Sequence, residues 1–219
     1  MTFKLTPARS RQFWRTLMEN TVALVCDAEL LFQNGSHGRA RSLLVLAQEE
    51  LARASALYDT AEHTWTTGEG SVELSPTHLS VSKMHRAKIE AGDQYGSRLG
   101  PFWGDYDNIP EPRDAGDIDK LKQVGFYVDR SPGVGGRFGS PLDVDPGPVA
   151  QMLLSTAQIA EMALITDHSR MKYHSDLPYD STMDLQNALL PISHPQEYAD
   201  FIEAVGTATL NADLGDATE

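Results

Sequence analysis

Two glutamates, Glu49 and Glu50, stand side by side in "NGSHGRARSLLVLAQEELARASALY" (residues 34–58), a stretch whose apolar spacing is that of an amphipathic helix. At 100° per residue, Ala40, Leu43, Leu44, Ala47, Leu51, Ala54, Tyr58 and Ala61 share one sector. Glu50 falls at the edge of that sector, whereas Glu49 is expected to point away from it. A carboxylate among leucines is costly unless a cation meets it. The next helix offers one, because its stripe Val81, Met84, Lys88, Ala91, Tyr95 carries a lysine at its centre, with His85 alongside. Glu50 is therefore expected to meet Lys88, with His85 and Arg53 close by. Such a cluster is either an ion pair that fixes helix docking, or a pocket in which mutual pKa shifts let it hold or act on a phosphate.

A second pair stands at the end of another helix, in "DHSRMKYHSD", where Arg170 and His174 are four residues apart on the expected continuation of the core-facing side. Histidine can take the proton of a 2′-hydroxyl while arginine stabilises charge on the phosphate, which is metal-free ribonuclease chemistry. The plainer alternative is a helix terminus where cations suit the macrodipole. No Glu-x-x-His of the di-metal bundle type is present, so no metal and no cofactor is expected. "GVGGRFG" lacks the flanking strand and helix of a dinucleotide fingerprint. Cys26, the single cysteine, excludes an internal disulfide and reads as a small buried hydrophobe.

The elements that must position these groups are helices. Thr6 and Pro7 cap and open the first, which runs to about Gln33; "NGS" ends it, with Ser36 as the next cap, and the second extends to about Trp65. A third starts after Ser75 and Pro76, for about 20 residues. Residues 98–145 are rich in Gly, Pro and Asp and form a long irregular insertion, broken by a helical turn, "DIDKLKQV", and an extended piece, "GFYVD". Asp145 and Pro146 start the fourth helix, and after a polar stretch "HPQEYADFIEAVGTATL" makes the last, before a flexible acidic tail at 211–219. The expectation is one all-α domain over 1–219, a bundle of about five helices.

The net charge of −13 on 219 residues repels nucleic acid at long range, so an RNA site would need a local basic pocket, completed by a second subunit. No apolar run approaches the roughly 18 residues of a membrane span and no apolar signal core opens the chain, so a cytoplasmic protein without membrane contact is expected.

"NGSHGRARSLLVLAQEELARA" resembles the signature of the AbiV family of abortive infection proteins: Gly-small-Tyr-Gly-x-Ala, an apolar run, then Ala-x-Glu-Glu-Leu-Gly-Lys. "HRAK" at 85–88 is similar to that family's His-x-x-Lys, and "LKQVGFYVD" to its Lys-x-x-Gly-Leu-Tyr-Val-Asp. His37 stands for the family tyrosine, Ala52 for a glycine and Arg53 for the lysine. The resemblance implies a HEPN-like helical bundle and a role in phage defence. It points to an RNA-cleaving or translation-arresting toxin, working as a homodimer on RNA and paired with an antitoxin. Ribonucleolytic HEPN proteins carry Arg, four to six residues, then His, whereas Arg170 and His174 have three between them. The catalytic candidates are Glu50, His85, Lys88, Arg170 and His174, and the substrate-contacting ones Arg39, Glu49 and Arg53. The rival readings are a non-catalytic module that binds a phage or host protein, and a nucleotide sensor using Arg39, Arg53 and Lys88.

Overall fold

The computed structural model describes residues 3–74, 122–128, 138–174 and 177–203, with His174 described by its backbone alone. The fold is all-α, with one two-stranded sheet that the sequence reading did not anticipate. Strand β1 (Phe3–Leu5) leads into α1 (Pro7–Gln33) and α2 (His37–Thr67), and β2 (Val72–Leu74) follows. Because α1 and α2 form a hairpin, the chain entering α1 and the chain leaving α2 emerge at one end. There β1 and β2 pair antiparallel in the register Phe3↔Leu74, Lys4↔Glu73, Leu5↔Val72.

Local chemistry sets the helix ends. Thr6 Oγ1 accepts the Arg9 N–H at 3.3 Å, and Pro7 follows at the first helical position, where its missing N–H costs nothing. The turn between α1 and α2 uses the left-handed freedom of Gly35 (φ 74°), while Asn34 keeps φ at −86°. Ser36 makes no side-chain cap bond; its hydroxyl instead accepts from Arg39 at 3.0 Å. Gly68 (φ 68°) closes α2 with its N–H on the Thr64 carbonyl.

On α1 the buried stripe is Ser10, Trp14, Leu17, Met18, Thr21, Val22, Val25 and Ala28, and the partly buried Phe13, Leu24 and Leu31 flank it. Cys26 likewise is half-buried, its thiol 3.9 Å from the Ala188 carbonyl, and burial pushes the thiol pKa up. Trp14, Tyr58 and Trp65 meet edge to face, with centroids 5.3–6.3 Å apart.

Beyond β2, residues 122–126 form one helical turn, and a 3-10 turn (Pro141–Asp143) precedes α3 (Pro146–His174), opened by the Asp145 carboxylate on the Gly147 N–H at 3.0 Å. By length and mean hydropathy (1.3) α3 could cross a membrane, but 56% of that stretch is buried inside the bundle against α1, α2 and the next helix. The polar stretch after α3, where no helix was expected, contains α4 (Met183–Ser193), and residues 195–203 are helical, within the expected last helix. Leu185, Leu189 and Ile192, spaced four and three apart, seat α4 in the core. His194 joins the two helices and its ring meets the buried Glu161 carboxylate at 2.9 Å.

Candidate functional site

Helix α2 is buried on two sides. Besides the expected apolar sector, Gly38, Ser42, Val45, Glu49 and Ala52 recur at spacings of four, three, four and three, a second stripe that is also buried. Glu49 therefore points inward and not away from the core, correcting the sequence expectation. Its side chain is 8% exposed and accepts from Lys122 Nζ at 2.9 Å. A buried carboxylate without a partner would be several kcal/mol less favourable.

The same stripe receives the whole 122–126 turn. The Ser42 hydroxyl lies 2.7 Å from the Lys122 carbonyl and 3.2 Å from that of Gly38. A Cβ at Gly125 would stand 2.0 Å from Ser42 Oγ and 2.2 Å from the Gly38 carbonyl oxygen, which no side chain can do. On its other side Gly38 takes Pro141, whose carbonyl oxygen would be 2.4 Å from a Cβ at position 38. Gly38 thus sits where both described ends of the 126–141 excursion dock, and the glycines are needed for close approach rather than for φ. Gly125 and Phe126 belong to this helical turn, so "GFYVD" is not an extended segment from its start; Phe126, Tyr127 and Val128 are exposed.

Glu50 lies on the flank of α2. Its carboxylate accepts Arg53 Nη1 at 2.8 and 2.9 Å, an i, i+3 contact within one helix, and both side chains are mostly buried. The Arg53 guanidinium also approaches the Phe13 ring at 5.9 Å. Phe13 in turn borders a groove of about 360 Å³ lined by Phe3, Leu5, Arg9, Gln12, Thr16 and Leu74. Glu50 and Arg53 are thus neighbours, as expected. His85 and Lys88 lie outside the described residues. Arg39 is exposed at the start of α2.

Arg170 and His174 stand at the far end of α3. Arg170 is 53% exposed and donates to Glu62 Oε1 at 2.7 Å. It does not continue the core face, because Asp167 and Met171 take that position and Arg170 lies to one side of both. One turn below, Asp167 is fully buried and holds Arg11 of α1 in a bidentate ion pair. The Arg11 guanidinium stacks over Trp14 at 4.4 Å and Trp65 at 5.3 Å, and Trp65 Nε1 donates to Ser10 Oγ at 2.8 Å. Burial pushes Asp167 above the ordinary carboxylate range while Arg11 opposes the rise. Burial, then the carboxylates of Asp167 and Glu62, push the Tyr58 phenol well above its ordinary value.

Arg11, Tyr58, Asp167 and Lys122 were not named as site residues from sequence. Two signals were available, Lys122 as the lysine of the family-like block "LKQVGFYVD" and Asp167 as an acid on the core-facing side of its helix; Arg11 in "ARSRQFW" looks like any surface cation. Among the described residues no group of three or more His, Cys, Asp or Glu side chains is placed to hold a metal ion.

No curated protein and no solved structure matches the chain. The family model of AbiV, a HEPN family, matches residues 9–160, which include Gly38, Ser42, Glu49, Glu50, Arg53, Lys122 and Gly125. With well over half of its 219 residues matched, the chain belongs to the AbiV family of HEPN domains, a family of abortive infection, that is, of defence against phage.

Proposed function

We propose that this AbiV-family chain is a metal-independent endoribonuclease toxin of phage defence, acting on RNA in the cytoplasm as a homodimer. The observation that carries this reading is the exposed Arg170, one helical turn before His174 on the last turn of α3. The family match ends at residue 160, so these two residues are argued from chemistry and position and not from the family signature.

In this reaction His174 takes the proton of a ribose 2′-hydroxyl. The 2′-oxygen attacks the adjacent phosphorus, the bond to the 5′-oxygen breaks, and a 2′,3′-cyclic phosphate and a 5′-hydroxyl end result. Arg170 leaves Glu62 for the phosphate and stabilises the charge that builds on its oxygens. A second copy supplies further cations and a second His174 to protonate the leaving oxygen. Self-association is also what lets a chain of net charge −13 assemble a locally basic surface. Glu49 and Glu50 are held by Lys122 and Arg53 further along α2, where the neighbouring Gln48 meets Thr156 of α3, and have no direct part in cleavage.

The test is incubation of the purified wild type, Arg170→Ala and His174→Ala with RNA in the presence of EDTA. The wild type is expected to cut and leave cyclic phosphate ends, His174→Ala to be inactive, and Arg170→Ala to be slower by about 10²–10³-fold. Intact RNA in cells that nonetheless stop growing would reject the nuclease and leave a module that binds a phage or host protein.

A further inference from the structure

We infer that Arg11 is a positioning residue for the cleaving end of α3, acting through its bidentate pair with Asp167. The inference rests on the reading of Arg170 and His174 as the cleaving pair. It names the device that fixes where they stand.

The middle of α3 is fixed by the buried Leu164 and by polar contacts of Thr156 with Gln48, Gln158 with the Ser193 carbonyl and Glu161 with His194. Over its last turns the side chain of Met171 makes apolar contact, which has no preferred direction, and His168 with Tyr179 and Arg170 with Glu62 are single hydrogen bonds at partly exposed positions. Arg11 and Asp167 differ in kind. A planar fork meeting a planar carboxylate at two points admits one relative orientation. The fork itself lies against both the Trp14 and Trp65 rings, and Trp65 is anchored in turn to Ser10. The Asp167 side chain is fully buried and that of Arg11 is 13% exposed, so water does not loosen the contact.

Replacing a buried ion pair by well-packed apolar residues is often neutral or stabilising, so the contribution assigned to Arg11 and Asp167 is one of geometry. Arg170 and His174 follow Asp167 by three and seven residues on the same continuous helix. A roll of about 20° moves a side-chain tip about 6 Å from a helix axis by about 2 Å. A misplacement of about 1 Å at a reacting group already costs about 10²-fold in rate.

The experiment compares wild type with the paired variant Arg11→Met, Asp167→Val, which removes both charges and changes the summed side-chain volume little. Thermal melting, hydrogen exchange of the 168–174 amides and single-turnover RNA cleavage are measured together. The expected result is a melting temperature at or above that of wild type, exchange at 168–174 faster by at least about 10-fold with the middle of α3 unchanged, and cleavage slower by about 10²-fold at unchanged KM. Unchanged exchange at 168–174 in the folded variant overturns the inference, as does undiminished cleavage. If the wild type cuts no RNA, the ribonuclease reading fails by itself, and the exchange arm still decides whether Arg11 pins the end of α3. Arg11→Lys, which keeps a cation against the buried carboxylate but loses the fork, gives the same two arms should the paired variant not fold.

Discussion

Lys122 Nζ meets Glu49 Oε1 at 2.9 Å, joining two residues 73 positions apart in the chain. The contact is mostly shielded from water, the two side chains being 17% and 8% exposed. Replacing Lys122 by Met takes a cation away from a buried carboxylate and is expected to cost about 3 kcal/mol in urea denaturation. Replacing both, Glu49→Leu with Lys122→Met, is expected to restore most of that loss. A single-variant cost near that of an exposed pair, below about 1 kcal/mol, would show that the contact is screened after all.

Gly125 and Gly147 should respond in opposite directions to alanine. At Gly125 the new methyl meets Ser42 Oγ and the Gly38 carbonyl, and the turn has to lift from α2, costing about 1–3 kcal/mol. Limited proteolysis near residues 126–140 should then accelerate. At Gly147 a Cβ meets only the Asp145 carboxylate, at 3.6 Å, so alanine in that helical turn is expected to be neutral or to stabilise by about 0.4–1 kcal/mol.

Tyr58 provides a spectroscopic prediction. Its phenol is pushed up from the ordinary value of 10.0, first by burial and then by Asp167 and Glu62. A folded pKa above the unfolded one means that the neutral form is favoured by folding. Its contribution to stability is whole below pH 10.0 and is lost as pH rises beyond that towards the folded value. An ultraviolet titration of the seven tyrosines should show one that stays un-ionised until the chain unfolds, and Tyr58→Phe should remove that late step. Ionisation of all seven while the helical signal is intact would contradict it.

If Arg170 binds phosphate as proposed, Glu62 competes with it, since it holds that guanidinium at 2.7 Å. The pair is substantially exposed, so its release is worth only about 0.2–1 kcal/mol. Glu62→Gln should accordingly tighten RNA binding by up to about 5-fold, read by a filter or anisotropy assay at low salt. Weaker binding in Glu62→Gln would mean that the carboxylate orients Arg170 for its ligand and does not compete with it.

The ends of α1 and the start of α3 were legible because their determinants are local. Thr6 with Pro7 and Asp145 with Pro146 act on N–H groups two or three residues away. Glu50 beside Arg53 was legible for the same reason, a separation of three on one helix. The inward turn of Glu49 was not. Its stripe Gly38, Ser42, Val45, Ala52 is small and mixed in polarity, and it becomes a buried face only when residues 122–126 and Pro141 cover it. Helix α4 was missed because Pro191 and the polar residues around Asp184 obscure the Leu185, Leu189, Ile192 spacing.

The sequence by itself determined the helices, their caps and the family signature, because hydrogen bonds and side-chain spacing within a turn or two need no partner from elsewhere. The tertiary structure alone decided which acid is buried and which cation answers it: Lys122 for Glu49, and Arg11 for Asp167 across 156 positions. The physical reason is that a charge acquires its large energetic weight only when packing removes the water around it. Which surfaces lose their water is settled by elements remote in the chain.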